Sequence, residues 1–399
     1  MTQASARAQY DVGGVLMDRP FKAGRLGHFG LFATDVAAGT AFYRDLLGFR
    51  QTDSSVFGDP AAGLKLSFLS YGADHHAMVL VPAEIGQRLD PWYAKGVTLN
   101  QISFQVGTLE EVVQAHRLMR AREKVIFRCG RDMPGSNWAV YFRDPDGHLI
   151  EIYYGMEQIG WDGLSKPAAL HDRFGLRAEP ALPQPGEQSE LAAVVAEGGD
   201  LTQGIRLVET TGEAHVVGGV TIPRPFKVVR SGPISLFVND VDASIAFYRD
   251  DMGFSLIEET NYLGHRCAFM RNTGDHHSIS LIPVALRGAI GMPENSTLMG
   301  YGMQVGSYRQ LKDAVAWLKG RGCRFIDVPP ELHPGIDYAA HLVGPDDHVI
   351  QLYYYMEQIG WDGRPRPASD RPVVVQPWPE TVAAHSDVYD NHTFQGPIG

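Results

Sequence analysis

The chain has 399 residues, 44% of them hydrophobic, which is enough for two domains that each bury a core. Its formal net charge of −11, without a lysine and arginine cluster, argues against a nucleic-acid or anionic-membrane surface. The sequence shows no apolar run near the roughly 18 residues of a membrane span and no signal-peptide core, so we expect a cytoplasmic protein. Three scattered cysteines do not form a disulfide framework. A small-molecule partner is therefore favoured.

In chain order, the first half predicts a strand, a helix and three strands, twice over. The first copy begins with the strand HFGLFAT and the helix VAAGTAFYRDLLG and ends with three strands, the last of them HAMVLVP. The second copy begins with the strand QISFQV and the amphipathic helix TLEEVVQAHRLMRARE. It ends with the strands VIFRC, WAVYFR and HLIEIYY. Each copy is therefore a βαβββ module.

The second half of the chain repeats the first. The octapeptide MEQIGWDG occurs at 156–163 and again, unchanged, at 356–363. The pairs GTAFYRDLLGF and SIAFYRDDMGF, GADHHAMVLVP and TGDHHSISLIP, and DPDGHLIEIYY and GPDDHVIQLYY recur at a similar spacing. The sequence therefore predicts an α+β fold of four βαβββ modules that form two duplicated domains.

The repeats also set the expected domain boundaries. The segments are domains at 12–163 and 217–363, a linker at 164–216 and a C-terminal tail at 364–399. The linker contains the Pro-, Glu- and Gly-rich stretch PALPQPGEQSELAAVVAEGGD, and the tail shows no clear periodicity. The octapeptide follows the last strand of each domain. We interpret it as a packing segment, with Trp161 and Trp361 as buried anchors.

One strand of the first half, QISFQV, carries polar residues on one face. Alternation places Gln101, Ser103 and Gln105 on the face opposite to the apolar Ile102 and Phe104. A polar face inside a β-rich domain is unusual for a core. We therefore expect the chemistry of the protein to lie on this face.

The last hairpin of the first half brings a phenol and a carboxylate together. The sequence Asp-Pro-Asp-Gly-His at 144–148 predicts a three-residue loop, with glycine at the position that needs a left-handed backbone. This register places Tyr141 directly opposite Glu151. A carboxylate beside a phenol and within reach of a histidine is suited to metal-assisted proton transfer.

These features resemble the vicinal-oxygen-chelate superfamily and, within it, the type I extradiol ring-cleaving dioxygenases. The resemblance rests on His28 at the start of a strand, the His75–His76 pair, the QISF stretch, and Tyr141 ten residues before Glu151. It covers both halves of the chain. It implies two vicinal-oxygen-chelate domains and an Fe(II) enzyme that opens a catechol-like aromatic ring with O2.

The same resemblance implies roles for individual residues. The iron ligands would be His28, Gln101 and Glu151, with Gln101 in place of the family's usual histidine. An amide oxygen is a harder and weaker donor than imidazole, although related glyoxalase-type members use a glutamine ligand, so manganese, zinc or nickel stays open. His76 takes the position of the acid–base residue. Tyr141 takes that of the residue that hydrogen-bonds the substrate hydroxyl.

Two further residues are assigned to substrate binding. Asp132 stands nine residues before Tyr141, where the family has another pocket histidine, and Ser103 belongs to the QISF stretch, on the same strand face as Gln101. Both assignments depend on the resemblance.

The second half departs from this pattern. Pro233, Gly300 and Gln351 stand at the three ligand positions, and His341 stands at the tyrosine position, although His277 is retained. We therefore place the active site in the N-terminal half and interpret the C-terminal half as a scaffold or a separate binding cleft.

Three functions remain open from the sequence. The first is an Fe(II)-dependent extradiol dioxygenase, whose partners are a small aromatic substrate and O2. The second is a metal-dependent lyase, isomerase or hydrolase of the same superfamily, with Gln101 as a true ligand. The third is a metal-free small-molecule-binding protein. Edge strands and the repeated tryptophans are compatible with a homo-oligomer.

Overall fold

The computed structural model describes most of the chain, in the following segments: 9–59, 61–131, 134–135, 137–159, 163–167, 170, 178–206, 212–294, 296–360 and 362–383. These residues form two eight-stranded mixed sheets with helices, each sheet built from one half of the chain. The predicted α+β class and the duplication are confirmed. None of the helices in this part of the chain combines the length and the apolar character needed to cross a membrane.

The first domain follows the predicted module order. Its elements are β1 (Tyr10–Val12), β2 (Val15–Met17), β3 (Arg25–Ala33), α1 (Val36–Ala41), β4 (Arg50–Phe57), β5 (Leu64–Ser70), β6 (Met78–Pro82), α2 (Ala83–Leu89), β7 (Leu99–Gln105), α3 (Leu109–Ala121), β8 (Ile126–Arg131), β9 (Trp138–Arg143) and β10 (Leu149–Tyr154). The large sheet has the order β4-β5-β6-β3-β7-β10-β9-β8. Its two modules join where β3 pairs antiparallel with β7, so these two strands lie at the centre.

Local sequence signals explain where the helices begin. The side chain of Asp35 accepts a hydrogen bond from the backbone N–H of Ala38 at 2.9 Å, and Thr108 caps α3 through Glu111 in the same way. α1 continues as one π-helical turn at Phe42–Leu46. These caps fix the starts of the crossover helices and therefore the spacing of the strands that follow.

The hairpin that joins β9 to β10 has the predicted register. Glu151 pairs with Tyr141, and the backbone N–H of Asp144 donates to the carbonyl of His148 at 3.0 Å. Gly147 has φ +90°, and its Cα approaches the Trp92 ring so closely that a Cβ atom would lie 2.1 Å from it. The turn therefore requires glycine for both its backbone and its packing.

The linker is more structured than its composition indicates. It contains a helix, α4 (Glu187–Ala196), within the Pro-, Glu- and Gly-rich stretch. Val194 of α4 is buried against Leu170, and the carboxylate of Glu179 accepts hydrogen bonds from His116 and Arg117 on α3. Proline and glycine flank this helix without interrupting it. The contacts of Glu179 with α3 show that the segment packs on the first domain.

The second domain repeats the topology. Its elements are β11 (His215–Val217), β12 (Val220–Ile222), β13 (Val228–Val238), α5 (Val241–Ala246), β14 (Ser255–Tyr262), β15 (His265–Arg271), β16 (Ile279–Pro283), β17 (Leu298–Val305), α6 (Tyr308–Gly320), β18 (Phe325–Ile326), β19 (Ala339–Val343) and β20 (Val349–Tyr353). The strand order is β14-β15-β16-β13-β17-β20-β19-β18. The described part of the tail packs against α6, where Lys312 binds Glu380 at 2.7 Å.

The two domains share one hydrophobic core, although the sequence led us to expect a separate core for each. Phe29 packs on Tyr301 with ring centroids 4.7 Å apart, and Phe104 packs on Phe254 at 5.0 Å. Both contacts cross between the domains within a single cluster of buried residues. The sheet face that carries the helices in each domain is therefore covered partly by those helices and partly by the other domain.

The octapeptide packs as expected in its described part. The backbone N–H of His75 donates to the carbonyl of Glu157 at 2.8 Å, and the N–H of Glu157 donates to the carbonyl of Gly135 at 2.9 Å. The second copy makes the corresponding contacts. The expected anchors Trp161 and Trp361 lie outside the described residues. The first copy of the octapeptide is therefore hydrogen-bonded both to the loop that contains His75 and to the loop that contains Gly135.

Candidate active site

Three neighbouring strands at the centre of the first sheet carry the three candidate ligands. His28 lies on β3, Gln101 on β7 and Glu151 on β10. Ser103 on β7 pairs with His28 on one side and with Glu151 on the other. The sheet register therefore brings these side chains to one face, opposite to the core residues on the same strands.

Glu151 lies at the centre of this group and is completely buried. Its Oε2 atom lies 2.8 Å from His28 Nε2 and accepts a hydrogen bond from Gln101 Nε2 at 3.1 Å. The hydroxyl of Ser103 donates to the same oxygen. Asn137 Nδ2 donates to the other oxygen, Oε1, at 2.7 Å. Both carboxylate oxygens are thus held in fixed positions.

The surroundings of Glu151 keep it charged. Burial acts to raise the pKa of its carboxyl, but the His28 imidazole and hydrogen bonds from Ser103 and Tyr141 outweigh burial and hold this pKa below its ordinary value. The site therefore contains a buried carboxylate anion at neutral pH, which favours a cation beside it.

The geometry of His28 fits a metal ligand. Within the described residues, neither ring nitrogen of this buried histidine makes a hydrogen bond. Nε2 lies close to the carboxylate of Glu151, but the two groups are not aligned as in a hydrogen bond. Two ligand atoms about 2.1 Å from one cation and at right angles lie about 3 Å apart. The 2.8 Å separation of the two side chains is close to that value.

Gln101 completes the set only through its amide oxygen. In the structure its amide nitrogen faces Glu151, so ligation requires the two ends of the amide to be exchanged. Among the described residues, no three His, Cys, Asp or Glu side chains come together as a metal site. A three-ligand site in this domain therefore depends on the amide.

A cavity of about 220 Å³ opens beside these residues. The polar side chains that line it include His28, His76, Gln101, Asn137 and Tyr141. Its walls are mainly apolar and include Phe32, Phe68, Val79, Val81 and Leu149, with the exposed Phe57, Leu89 and Phe127 at the rim. A small apolar cavity with a few convergent polar groups is typical of a small-molecule site.

His76 lies at the edge of the cavity, next to His28. The two rings are 4.4 Å apart, and His76 Nδ1 lies 3.0 Å from Nδ1 of His75, whose Nε2 lies 3.2 Å from Asp53. Burial, together with the neighbouring His28 and His75, lowers the pKa of His76 well below its ordinary value. The ring is therefore neutral at neutral pH.

The structure separates the remaining predicted site residues. Tyr141 lines the cavity, and the Arg128 guanidinium lies 4.1 Å from the centre of its ring. Ser103 contacts Glu151 but, unlike Gln101, is not part of the cavity lining. Asp132 lies outside the described residues.

Asn137 is the site residue that our sequence analysis missed. It is buried, lines the cavity and donates to Glu151. A signal was present, because residues 137, 139 and 141 alternate along one strand direction and Tyr141 already marked that face. The residue directly precedes β9, in a loop whose path depends on tertiary contacts.

Comparison with known proteins identifies the family. The model of the Glyoxalase/Bleomycin resistance protein/Dioxygenase superfamily matches residues 25–152 and 230–352, which is more than half of the chain. The chain belongs to this superfamily. The two matches correspond to the two domains, so both halves are superfamily domains.

Several members of the superfamily are similar to this chain. Metapyrocatechase 2 from Cupriavidus necator is 33% identical over 136 residues, which is 34% of this chain and 38% of the relative. Catechol-2,3-dioxygenase from Bacillus subtilis is 29% identical over 178 residues, or 45% of this chain and 50% of the relative. The chain thus spans half or less of the length of these two relatives.

A solved structure supports the fold of both domains. The Mn(II)-bound glyoxalase from Novosphingobium aromaticivorans superposes with a TM-score of 0.51 at 17% identity, covering 86% of this chain and 85% of that chain. At this identity the likeness shows the superfamily fold and no more.

The second superfamily domain differs from the first where the cavity lies. Side chains that correspond to the cavity walls are buried there in one apolar cluster, which includes Phe237, Phe269, Ile282, Leu286, Met299 and Val349. Gln351 Nε2 lies 3.1 Å from His341 Nε2, and burial lowers the pKa of His341 well below its ordinary value. This domain therefore has an amide and an imidazole where the first domain has the carboxylate of Glu151 and the phenol of Tyr141.

Proposed function

We propose that this protein is an Fe(II)-dependent extradiol dioxygenase that opens a catechol-like aromatic ring with O2. The observation that carries the proposal is the pairing of His28 and Glu151, two buried ligand-type side chains 2.8 Å apart at the base of a small apolar cavity. The name of the Bacillus subtilis relative, catechol-2,3-dioxygenase, supports the same class of reaction.

His28, Glu151 and the amide oxygen of Gln101 would hold the metal. When bound, iron supplies a Lewis acid that chelates a vicinal diol and a redox centre that passes electrons from the diol to O2. In this proposal, Glu151 contributes the negative charge of the ligand set, and Ser103 and Asn137 fix its two oxygens. Such outer contacts orient a ligand and tune its strength.

The other cavity residues act on protons and on the position of the ring. The neutral imidazole of His76 can take a proton from a substrate hydroxyl and return it later in the reaction. Tyr141 lines the cavity, so its hydroxyl can hydrogen-bond a substrate hydroxyl. Apolar walls formed by residues such as Phe68 and Val79 exclude water and bind the faces of an aromatic ring.

Gln101 favours a second candidate function. A neutral amide oxygen suits a redox-inert divalent metal better than it suits iron, and this favours a metal-dependent lyase, isomerase or hydrolase of the same superfamily. In that case manganese, zinc or nickel would occupy the same three residues, and the cavity would bind a vicinal oxygen pair without reacting with O2.

Metal content and oxygen uptake together test the proposal. Protein purified anaerobically without chelator is expected to hold about one iron per chain, and to consume O2 when a catechol is added. A redox-inert metal that supports no O2 uptake after exchange with Fe(II) would favour the second candidate. Failure to bind any divalent metal would overturn both and favour a metal-free binding protein.

Replacing Gln101 with histidine is expected to increase the affinity for Fe(II) by about tenfold or more, because imidazole is a stronger ligand for iron than an amide oxygen. The change also removes the amide nitrogen that now donates to Glu151. Competition with a coloured chelator measures the affinity. Unchanged iron affinity in Gln101→His would place residue 101 outside the ligand set.

A further inference from the structure

The amide of Asn137 has one end bound and the other end unused. Its nitrogen donates to Glu151 Oε1 at 2.7 Å, whereas its oxygen, Oδ1, has no hydrogen-bond partner within the described part of the chain. The side chain is 1% exposed. A buried acceptor without a partner is unfavourable, and native proteins contain few of them. The unused oxygen therefore calls for a physical explanation.

The orientation of this amide is fixed by its neighbour. If the two ends were exchanged, the amide oxygen would lie against a carboxylate oxygen of Glu151, and two acceptors would face each other. Only the present orientation satisfies the carboxylate. The free acceptor is thus a direct result of the contact that holds Glu151 in place.

The free oxygen lies beside the cavity and near His76. Asn137, Gly135 and His76 are neighbours: a Cβ atom on Gly135 would lie 3.4 Å from Asn137 Oδ1 and 3.0 Å from His76 Cε1. Asn137 and His76 both line the cavity. Because Gly135 has no side chain, nothing on that residue separates the amide oxygen from the imidazole, so one ligand group can reach both.

The second domain has a different residue at the position of Asn137. Asp337 stands at the position of Asn137, and its carboxylate lies 3.4 Å from the guanidinium of Arg366. That domain has Gln351 at the position of Glu151. The amide of Asn137 therefore occurs together with the carboxylate that it holds in place.

We propose that Asn137 is a specificity-determining residue whose Oδ1 accepts a hydrogen bond from a hydroxyl of the bound substrate. The inference rests on the proposed function and deepens it, since it restricts the substrate to aromatic diols that keep an O–H donor near His76 and Glu151. The side chain of Asn137 then holds the carboxylate of Glu151 in position and also binds the substrate hydroxyl. A ligand that lacks this donor leaves Oδ1 buried and unsatisfied.

A comparison of two ligands in three proteins tests this role. Catechol and 2-methoxyphenol have the same ring, but the second has a methyl group in place of one hydroxyl proton. Their dissociation constants are measured by anaerobic calorimetry on metal-loaded wild type, Asn137→Ala and Ser103→Ala. Ser103→Ala is the matched control, because it also removes a donor to Glu151 but leaves the cavity lining intact.

Asn137→Ala is expected to reduce the preference for catechol over 2-methoxyphenol by about tenfold, the size of one hydrogen bond. Ser103→Ala is expected to weaken both ligands in proportion and keep the preference. If Asn137→Ala does not fold, Asn137→Ser retains a hydroxyl for Glu151 and should show the same loss of preference.

Two other outcomes would contradict the inference in distinguishable ways. If Asn137→Ala binds metal and keeps the wild-type preference, the hydroxyl is read elsewhere and the role of Asn137 is overturned, while the proposed function stands. If metal-loaded wild type binds neither ligand, the proposed function itself fails, and the inference fails with it.

Discussion

Glu151→Gln is expected to lower the affinity for Fe(II) by more than about a hundredfold, because loss of even an outer-shell partner of a ligand costs about 10- to 100-fold. Ring cleavage should be lost with the metal. The substitution removes the charge that the site holds at neutral pH and places an amide nitrogen among groups that now donate to the carboxylate, such as Ser103 and Asn137. One of these donors is then left unsatisfied.

The chain should nevertheless remain folded. An unsatisfied buried donor costs about 1–3 kcal/mol, which an ordinary domain tolerates. The second domain accommodates glutamine at the same place, as Gln351. Metal affinity by chelator competition and unfolding in urea, measured on the same samples, separate the two effects. Wild-type iron affinity in a folded Glu151→Gln protein would remove Glu151 from the ligand set and with it the main support for the proposed function.

Much of the fold could be predicted because its signals are local. Alternating strands and the turn at 144–148 each depend on a few neighbouring residues. The duplication added a second, independent view of every element. The helix α4 was missed because proline and glycine at its borders dominated the composition of the segment.

The candidate site could be predicted from the sequence only in part. The hairpin register is a local property and places Glu151 opposite Tyr141. That Gln101 shares their face depends on the pairing of β7 with β10, which are distant in sequence, and only the family resemblance implied it. The direction of the Gln101 amide and the position of Asn137 depend on how side chains from three strands and one loop meet around a single carboxylate. No pattern in one segment encodes such a network, so these features required the structure.

The joining of the two domains was also beyond the sequence pattern. Each half has enough apolar residues for its own core, and periodicity does not show which apolar face covers which. The structure places Phe29 on Tyr301 and Phe104 on Phe254, so the halves bury each other. The C-terminal domain then has a physical role, because its buried side chains complete the core of the half that carries the candidate site.

Asp144 is expected to be central to this joining. Its buried carboxylate accepts hydrogen bonds from His148 Nδ1 at 2.9 Å and from the hydroxyl of Tyr248, in the other domain, at 3.1 Å. Removing one partner of a buried ion pair costs about 3–5 kcal/mol. We therefore expect Asp144→Asn to lower the free energy of unfolding by about this amount in urea titrations. Its iron affinity should match the wild type, since Asp144 lies outside the cavity lining.

The same contact sets a dependence on pH. Burial acts to lower the pKa of His148, but Asp144, through its charge and its hydrogen bond, raises this pKa above its ordinary value. A folded-state pKa above the unfolded value of about 6.5 gives stabilisation that is complete below about pH 6.5 and is lost as the pH rises through the folded-state pKa. The difference in unfolding free energy between wild type and Asp144→Asn should therefore be larger at about pH 5.5 than at about pH 9.

The corresponding turn of the second domain supplies the matched control. Gly344 stands in the place of Asp144, and burial lowers the pKa of His348 to about 4 despite the nearby Asp346 and Asp347. His348 makes a neutral contact with Thr98 Oγ1 at 3.1 Å, so His348→Gln should cost about 1 kcal/mol. Because the folded-state pKa of His348 lies below its unfolded value, its contribution to stability decreases as the pH falls from about 6.5 toward 4, the opposite of His148. Equal losses and the same pH trend in both variants would show that the Asp144 carboxylate does not hold the domains together.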